Sequence, residues 1–453
     1  MIKNELTSDM ENAEFKVKRK YFKLEDFKRF YITQRKFENQ YSNIYNCRLN
    51  ALKETLKNRA IENWGRHGIF QISNLSELDN SREQIIIIGT IYKHQELKPS
   101  ILKELSNELQ LIPQPTRSNF YSDKDQLFLE DEMLRVKLSG CHMDPKTMLT
   151  GCVCAVIGFL QSDGTFWVED YCMPGMIVKP SVSFSSKMEG KILFLSGLNL
   201  ASNPNSMHYE LLIEWITGMA GNSETQQDVA SIALVIIAGN SVRGSMEIFN
   251  YKGYSEAKSK REESILETIL ATNKFDDLLS EIVKTCCVLV MPGEFDPSGH
   301  SLPQQPFHGC TLPKSSRYQC FHSITNPWIG KIGTCVVAGS SGQPINDIIK
   351  VTGLVDCSPI DWLEKTLNWR HFAPTAPDTL AAYPYFDSDP FIMQECPDVY
   401  FVGNMKDYST KLSIGQEGQQ VRLIGIPEFS KTHTAVLVDL DSLDAQPISF
   451  GTN

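Results

Sequence analysis

The chain has 453 residues, a formal net charge of −10 at pH 7, and hydrophobic side chains at 42% of its positions. The length predicts about two or three domains, and the composition is that of a globular protein. The negative charge argues against a protein dedicated to nucleic-acid binding, because such proteins need a basic surface that neutralises phosphates.

Residues 1–44 are predicted to form an N-terminal segment that is partly flexible. The first residues are charged and no apolar stretch follows them, so no signal peptide is expected. No apolar run approaches the ~20 residues that span a membrane. Lys16 to Lys20 form a basic cluster, which is typical of a nuclear import signal but also of a solvated segment. Twelve cysteines without a signal peptide favour a reducing compartment, the cytosol or the nucleus.

Residues 45–182 are predicted to form a small β-barrel of the OB type. Apolar residues at helical spacing predict a helix from Cys47 to Trp64, with Ile61 on its apolar face. Strands are predicted within residues 84–92, 127–140, 151–158 and 165–171, and a further helix near residues 100–109. About five strands with a single helix among them are the profile of a Greek-key barrel.

Residues 183–453 are predicted to form an α/β sandwich of two sheets. A Pro/Ser/Gly-rich stretch at 179–190 marks the boundary, and strands and helices alternate after it. Strands are predicted at 191–196, 232–238, 287–291, 398–402, 421–426 and 434–438, and helices at 205–219 and 255–283. The long helix could break near Asn273, and its apolar residues Ile265, Leu266, Ile269 and Leu270 are predicted to lie in the core.

The loops after these strands contain nine positions that can be compared with a metal site, and they are Ser196, Leu198, Asn240, Arg243, Glu294, Phe295, Asp296, Asn404 and Lys406. At these positions the loops resemble the metal-binding loops of calcineurin-like phosphoesterases with their ligands replaced. Leu198 and Phe295 have no lone pair for a metal, and Arg243 and Lys406 would bring positive charge beside one. A metal-bound hydroxide needs several strong ligands held together. We therefore predict an inactive phosphoesterase-like domain with no catalytic residue and no metal.

Four longer strings of the chain are distinctive. They run from Leu302 to Pro306, from Ala373 to Leu380, from Glu395 to Asn404, and from Gln446 to Phe450. These strings resemble the small, or B-type, subunits of eukaryotic DNA polymerase delta. In the barrel region the matching strings are 129–132 and 168–172, and the resemblance covers the chain from about residue 45 to its end.

The resemblance implies a non-catalytic scaffold in the nucleus that serves DNA replication and repair. It implies binding to the C-terminal region of the catalytic subunit and to a further accessory subunit, and use by the translesion polymerase zeta in the same mode. An iron–sulfur cluster is expected on the catalytic subunit, so no cofactor is expected on this chain.

Two other functions stay open at this point. The barrel could bind single-stranded DNA by stacking bases on aromatic residues, for which the candidates are Phe159, Phe166, Trp167 and Tyr171. Asp163, Glu169 and Asp170 would repel phosphates there, so aromatic core or a partner interface is favoured. A residual phosphodiesterase could use Asp296 and Asn240. His371 could pass for a general base, but no orienting carboxylate is identifiable nearby, which favours a helix-end histidine.

Overall fold

The computed structural model describes residues 18–65, 72–73, 75–78, 83–98, 117–179, 189–202, 206–244, 254–354 and 357–451. These residues form a β-barrel and an α/β sandwich with two six-stranded sheets. The predicted helix near residues 100–109 and residues 180–188 around the predicted domain boundary lie outside the described residues, as do Lys16 and Val17 of the basic cluster. The boundaries at 44/45 and 182/183 stay predictions. No helix in the described ranges is both long enough and apolar enough to cross a membrane.

The described part of the N-terminal segment lies against the sandwich. The guanidinium of Arg19 donates to the backbone carbonyls of Ile232 and Ile216. Strand β1 (Leu24–Asp26) pairs antiparallel with residues 330–332 at the edge of one sheet. Phe30 is buried edge-on against Phe372, with ring centroids 5.4 Å apart. Arg19 of the basic cluster is therefore bound to the fold's own backbone.

The barrel follows helix α1 (Ser42–Trp64), which begins five residues before the predicted start. Its strands are β2 (Ile72–Ser73), β3 (Ile85–His94), β4 (Gln126–Glu130), β5 (Arg135–Ser139), β6 (Val153–Leu160) and β7 (Thr165–Cys172). A short 3₁₀ helix covers Leu75–Glu77. The strand order is β2-β3-β4-β5-β7-β6, and β3 also pairs with β6. This pairing closes five strands into a barrel, which confirms the OB-type prediction.

The run of four isoleucines in β3 is explained by burial on both faces of the strand. Ile85 and Ile87 belong to the hydrophobic cluster of the barrel interior, and Ile86 and Ile88 to the cluster beneath α1. Successive strand residues point to opposite faces, so a strand covered on both sides is apolar throughout. The prediction was wrong for Ile61, which is 45% exposed because its helical position falls beside the buried stripe of α1.

The sandwich holds its core between two facing sheets, which confirms the predicted fold class. One sheet has the order β1-β12-β13-β14-β16-β15, with β12 (Trp328–Ile332), β13 (Cys335–Ser340), β14 (Val399–Met405), β15 (Ser409–Ile414) and β16 (Gln420–Pro427). The other has the order β11-β10-β9-β8-β17-β18, with β8 (Lys191–Leu195), β9 (Ile232–Ala238), β10 (Cys287–Met291), β11 (Phe321–Ser323), β17 (Thr434–Asp439) and β18 (Ala445–Ser449). Phe194 and Phe401 meet across the core with centroids 5.2 Å apart.

Helices cover both outer faces of the sandwich. They are α2 (Met207–Thr217), α3 (Ser223–Ala230), α4 (Tyr254–Val283), α5 (Gln343–Val351), α6 (Pro359–Trp369) and the short α7 (Phe429–Thr432), with a 3₁₀ turn at Ser315–Arg317. Residues of α5 and α6 share one hydrophobic cluster with the barrel interior. That continuous cluster joins the barrel to the sandwich.

Helix α4 departs from the prediction in two ways. It is continuous through Asn273, and Ile265, Leu266, Ile269 and Leu270 are between 51% and 59% exposed. The side of α4 that faces the sheet carries Ala271, Phe275 and Leu279, which are buried. By helical periodicity Ile265, Leu266, Ile269 and Leu270 lie on the other side of the helix, which faces away from the sheet.

Candidate functional site

The polar residues that follow β8, β9, β10 and end β14 meet at the carboxyl ends of these strands. Gly403 in β14 lies so close to β9 that a Cβ there would be 2.6 Å from the carbonyl oxygen of Ala238. A bulge between Val402 and Met405 lies at this point. Bulges redirect side chains at strand ends, and the structure brings Asn404 to Ser196 here.

Ser196 and Asn404 use their polar atoms on each other and on backbone. The Ser196 hydroxyl contacts the carbonyl oxygen of Pro427 at 3.0 Å and accepts the Asn404 N–H at 2.9 Å. The Asn404 amide donates to the carbonyls of Ala238 at 3.0 Å and Ser341 at 2.7 Å. Its Oδ1 is buried with no hydrogen-bond partner among the described residues. These two positions therefore cross-link neighbouring strand ends.

Asp296 has the only carboxylate of the set that is buried, and backbone groups occupy both its oxygens. Oδ1 accepts the N–H of Val242 at 2.8 Å, and Oδ2 accepts that of Gly293 at 2.9 Å. Burial raises the pKa of Asp296, and the backbone N–H groups counteract part of that rise. Asn240 behaves similarly, since its Oδ1 accepts the Phe295 N–H at 3.2 Å. The carboxylate and the amide join the loops after β9 and β10.

Two of the remaining predicted positions have side chains that pack elsewhere. Arg243 binds helix α4, donating to the Ser264 carbonyl at 2.9 Å and the Thr268 hydroxyl at 2.8 Å. Leu198 is fully buried in the hydrophobic cluster beneath α2. Lys406 is exposed, and Glu294 and Phe295, which adjoin Asp296 in the loop after β10, are half-buried. The side chains that the structure brings together are those of Ser196, Asn240, Asp296 and Asn404.

Sequence reasoning missed a buried network of amide side chains that adjoins these residues. The Asn326 amide donates to Gln304 Oε1 at 2.7 Å and to Gln343 Oε1 at 2.9 Å. Gln304 in turn donates to the Gly293 carbonyl at 2.8 Å, beside the Asp296 turn. Ser341 also contacts Asn326, at 2.7 Å. The sequence feature that could have indicated this network is the string from Leu302 to Pro306, where the polar pair Gln304–Gln305 stands between prolines. The hydrogen-bond partners of Gln304 lie 22 and 39 positions away in sequence.

The residues at the strand ends do not fit a pair of metal ions. Two-metal phosphoesterase chemistry needs ions about 3.5–4 Å apart with several strong ligands. In the described ranges no group of three or more His, Cys, Asp or Glu side chains could hold a metal. At the junction itself Asp296 brings the single buried charge, and hydrogen bonds to backbone N–H groups engage both its oxygens. The hydrogen bonds of this junction hold the loops together.

A second polar cluster, Arg48, His371 and Asp389, lies between α1 and the sandwich. Arg48 Nε and His371 Nε2 lie 2.7 and 2.9 Å from the same oxygen of Asp389, and all three side chains are at most 2% exposed. Arg48 also donates to the carbonyls of Gly151 in the barrel and of Pro374 and Ala376 in the sandwich, at 2.8–3.0 Å. One guanidinium therefore connects the helix, the barrel and the sandwich.

The electrostatics of this cluster favour a neutral histidine beside an ion pair. Burial, and then the Arg48 charge, lower the pKa of His371 to about 4. Burial alone would raise the pKa of Asp389, but Arg48 and His371 outweigh it and hold that pKa well below its usual range. His371 Nδ1 accepts the Ala373 N–H at 3.1 Å, so Nε2 carries the proton given to Asp389. The expectation that His371 has no orienting carboxylate was wrong, because Asp389 lies 18 positions away in sequence.

The barrel aromatics do not form one stacking surface. Phe166 is fully buried, Trp167 is 37% exposed, and Phe159 and Tyr171 are half-buried. Trp64 donates to the Asp170 carboxylate at 3.0 Å, so one of the acidic residues near this face binds α1. Phe166 belongs to the core, as favoured from sequence, and the other three line the barrel surface.

Known proteins resemble the chain along most of its length. A family model described as "DNA polymerase delta subunit OB-fold domain" matches residues 40–171, and a second model, which describes the B-type subunit of DNA polymerases alpha and epsilon, matches residues 192–411. The Drosophila melanogaster protein "DNA polymerase delta subunit 2" is 37% identical over 92% of this chain and 94% of its own length.

Two further relatives share this coverage. The "DNA polymerase delta small subunit" of Oryza sativa subsp. japonica is 39% identical over 94% of this chain and 96% of that protein. The Saccharomyces cerevisiae protein of the same description is 31% identical over 92% of this chain and 90% of that protein. The similarity therefore includes both the barrel and the sandwich.

Proposed function

The chain belongs to the family of DNA polymerase delta small subunits, and on this premise we propose that it is a non-catalytic scaffold of that polymerase. It binds the C-terminal region of the catalytic subunit and a further accessory subunit, in the nucleus, during DNA replication and repair. The translesion polymerase zeta uses it in the same way. The chain holds no cofactor, since the iron–sulfur cluster belongs to the catalytic subunit.

The hydrogen bonds made by residues at the strand ends support the non-catalytic part of this proposal. At the positions where a phosphoesterase would hold metal, Asp296 binds backbone N–H groups and Asn404 binds backbone carbonyls. Arg243 is bound to α4. A metal-dependent hydrolase needs several free oxygen and nitrogen ligands at this point. The side-chain oxygens of Ser196, Asn240 and Asp296 are engaged in joining loops, and Asn404 Oδ1, which has no partner among the described residues, is a single uncharged oxygen.

The contact between barrel and sandwich supports the scaffold part. Arg48 joins carbonyls of both, and one hydrophobic cluster continues from the barrel interior to α5 and α6. A surface that spans both parts is thereby held in one shape before a partner arrives. Preformed surfaces bind with a smaller ordering cost than flexible ones.

Calorimetry with the co-expressed C-terminal region of the catalytic subunit tests the proposal. We expect a one-to-one complex whose affinity does not change after this chain alone is treated with a chelator. A correctly folded chain that binds neither the catalytic subunit nor the accessory subunit would contradict the scaffold function.

Two assays test the rival functions. Turnover of a chromogenic phosphodiester with Mn²⁺ that is abolished by Asp296→Asn would contradict the non-catalytic proposal. Tight, strongly salt-dependent binding of a single-stranded oligonucleotide by the chain alone would favour a DNA-binding barrel instead.

A further inference from the structure

A groove lies between α1 and the end of strand β15. It has a volume of about 410 Å³ and is lined by Arg59 of α1, Arg370 after α6, and residues 413–417 at the end of β15. Thr55 and Arg370 also line a neighbouring cavity of about 610 Å³ along α1, so the depression continues beside the helix. None of the residues in the strand-end junction or the Arg48 cluster lines the 410 Å³ groove.

Two arginines converge on one short stretch of backbone in this groove. Arg370 Nε donates to the Gly175 carbonyl at 2.6 Å, and its Nη2 donates to the Met176 carbonyl at 3.2 Å. Arg59 Nη1 makes a long contact of 3.4 Å with the Pro174 carbonyl. Gly175 has φ +71°, and a Cβ there would lie 1.7 Å from Arg59 Nη1. The backbone is therefore shaped to admit the guanidinium.

Neither arginine of this pair forms an ion pair with a described carboxylate, although Glu62, Glu364 and Glu417 line the same groove. Arg59 Nε is buried without a hydrogen-bond partner among the described residues. Glu364, which also lines the groove, binds Lys411 at 2.8 Å and the Ser413 hydroxyl at 2.8 Å. Burial, and then the charge of Arg59, lower the pKa of Arg370. Two adjacent cations in such a site favour an anion.

Aliphatic side chains beside the arginines are exposed. Val178 is 57% exposed and Ile414 is 63% exposed, and both line the groove. Strand β15 is the last strand in its sheet and pairs only with β16 among the described strands. An open sheet edge with apolar residues beside it is a surface to which an extended peptide can bind.

We propose that this groove binds an extended segment of a partner polypeptide in which an acidic residue adjoins aliphatic residues. The carboxylate would contact Arg59 and Arg370, and the aliphatic side chains would cover Val178 and Ile414. The inference rests on the proposed scaffold function, because it requires a partner subunit. It specifies, in addition, the chemistry of one contact between this chain and a partner subunit.

A peptide fits this groove better than a nucleic acid does. Glu62 and Glu417 lie at its rim, and Glu364 lies in its wall. A phosphate chain would pass these carboxylates repeatedly, whereas a single carboxylate can sit between the arginines. Among the described residues that line it, none has an aromatic side chain on which a base could stack.

Hydrogen exchange of the reconstituted complex locates the contact. The full chain is combined with the full-length catalytic subunit and the accessory subunit, and backbone exchange is compared with that of the free chain. We expect slower exchange in residues 173–179 and 412–419 in the complex. A complex that forms without protecting either stretch would overturn the groove proposal and leave the scaffold function standing.

Two substitutions test the chemistry. Arg59→Gln and Ile414→Asp should each weaken the complex about tenfold to a hundredfold, and Arg59→Gln should also reduce its salt dependence. Lys53→Gln, which removes the same charge from α1 outside the groove, is the control and should leave affinity within about twofold. Equal affinity of Arg59→Gln and Lys53→Gln overturns the proposal. The proposal is also overturned if Arg59→Gln weakens the binding of a single-stranded 30-mer and does not weaken the binding of the protein partner. If wild-type chain binds no partner, the scaffold function fails and this inference fails with it.

Discussion

Replacing Asp389 by asparagine should lower the free energy of unfolding by about 3–5 kcal/mol. Asp389 and Arg48 have side chains that are 0% and 1% exposed and lie 2.7 Å apart. One Asp389 oxygen faces Arg48 and His371, and the other accepts the Phe391 N–H at 2.9 Å. Because donors face both oxygens, an asparagine must turn its own NH₂ group toward a donor, and the Arg48 charge remains buried without its counter-ion.

The size of this destabilisation depends on which hydrogen bonds Arg48 retains in the variant. Its three carbonyl acceptors, on Gly151, Pro374 and Ala376, remain in place, which favours the lower end of that range. Domains are typically stable by 5–15 kcal/mol, so even about 3 kcal/mol is a large fraction. The loss should be cooperative across barrel and sandwich, because Arg48 contacts both.

Urea denaturation followed by tryptophan fluorescence measures the effect. The control is Glu54→Gln, which breaks the exposed ion pair of Glu54 with Lys57 on the same helix and should cost less than about 1 kcal/mol. The double variant Arg48→Met with Asp389→Asn should be less destabilised than the sum of the two single variants, because neither charge is then left alone. A cost below about 1 kcal/mol for Asp389→Asn would refute the reasoning.

Three further predictions concern other parts of the chain. The pKa of His371 is about 4 in the folded chain against an ordinary value of 6.5, so protonation of this histidine favours the unfolded chain. The contribution of neutral His371 to stability is complete above pH 6.5 and is lost as the pH falls through 4. The loss is up to roughly 3 kcal/mol. Denaturation from pH 7 to 4 should show this loss, and His371→Gln should flatten it; an unchanged slope would contradict the assignment. Leu270→Ser on the exposed side of α4 should change stability by less than about 0.5 kcal/mol, whereas Leu279→Ala on the side that covers the sheet should cost about 2–5 kcal/mol. Similar melting shifts for the two variants would contradict the exposure described for α4. Asp296→Asn should cost about 1–3 kcal/mol in urea denaturation because one backbone N–H loses its acceptor, and a neutral result would contradict its loop-joining contacts.

Local pattern predicted the fold class and the positions of most core strands. The β3 isoleucines, the buried strands β9 and β10, and the apolar stripe of α1 are visible in the sequence, because strand and helix periodicities repeat within a few residues. The residue types in the loops at the strand ends, among them Leu198, Arg243 and Phe295, could be read for the same reason, since each loop directly follows its strand. The lengths of the helices were predicted less accurately, because α1 begins earlier than predicted and α4 continues where a break was considered.

Only the tertiary structure decided which face of α4 is covered and which partners the buried polar residues have. Ile265, Leu266, Ile269 and Leu270 have the spacing of a core face, but the side of α4 that covers the sheet is the one that carries Ala271 and Phe275. Arg48 and Asp389 are 341 positions apart, and Asn326 and Gln304 are 22 apart. Hydrophobic periodicity is a property of one element, whereas the partner of a buried charge or amide depends on which elements the whole chain brings together. The sequence by itself therefore determined the architecture, and chain packing determined what the buried polar groups bind.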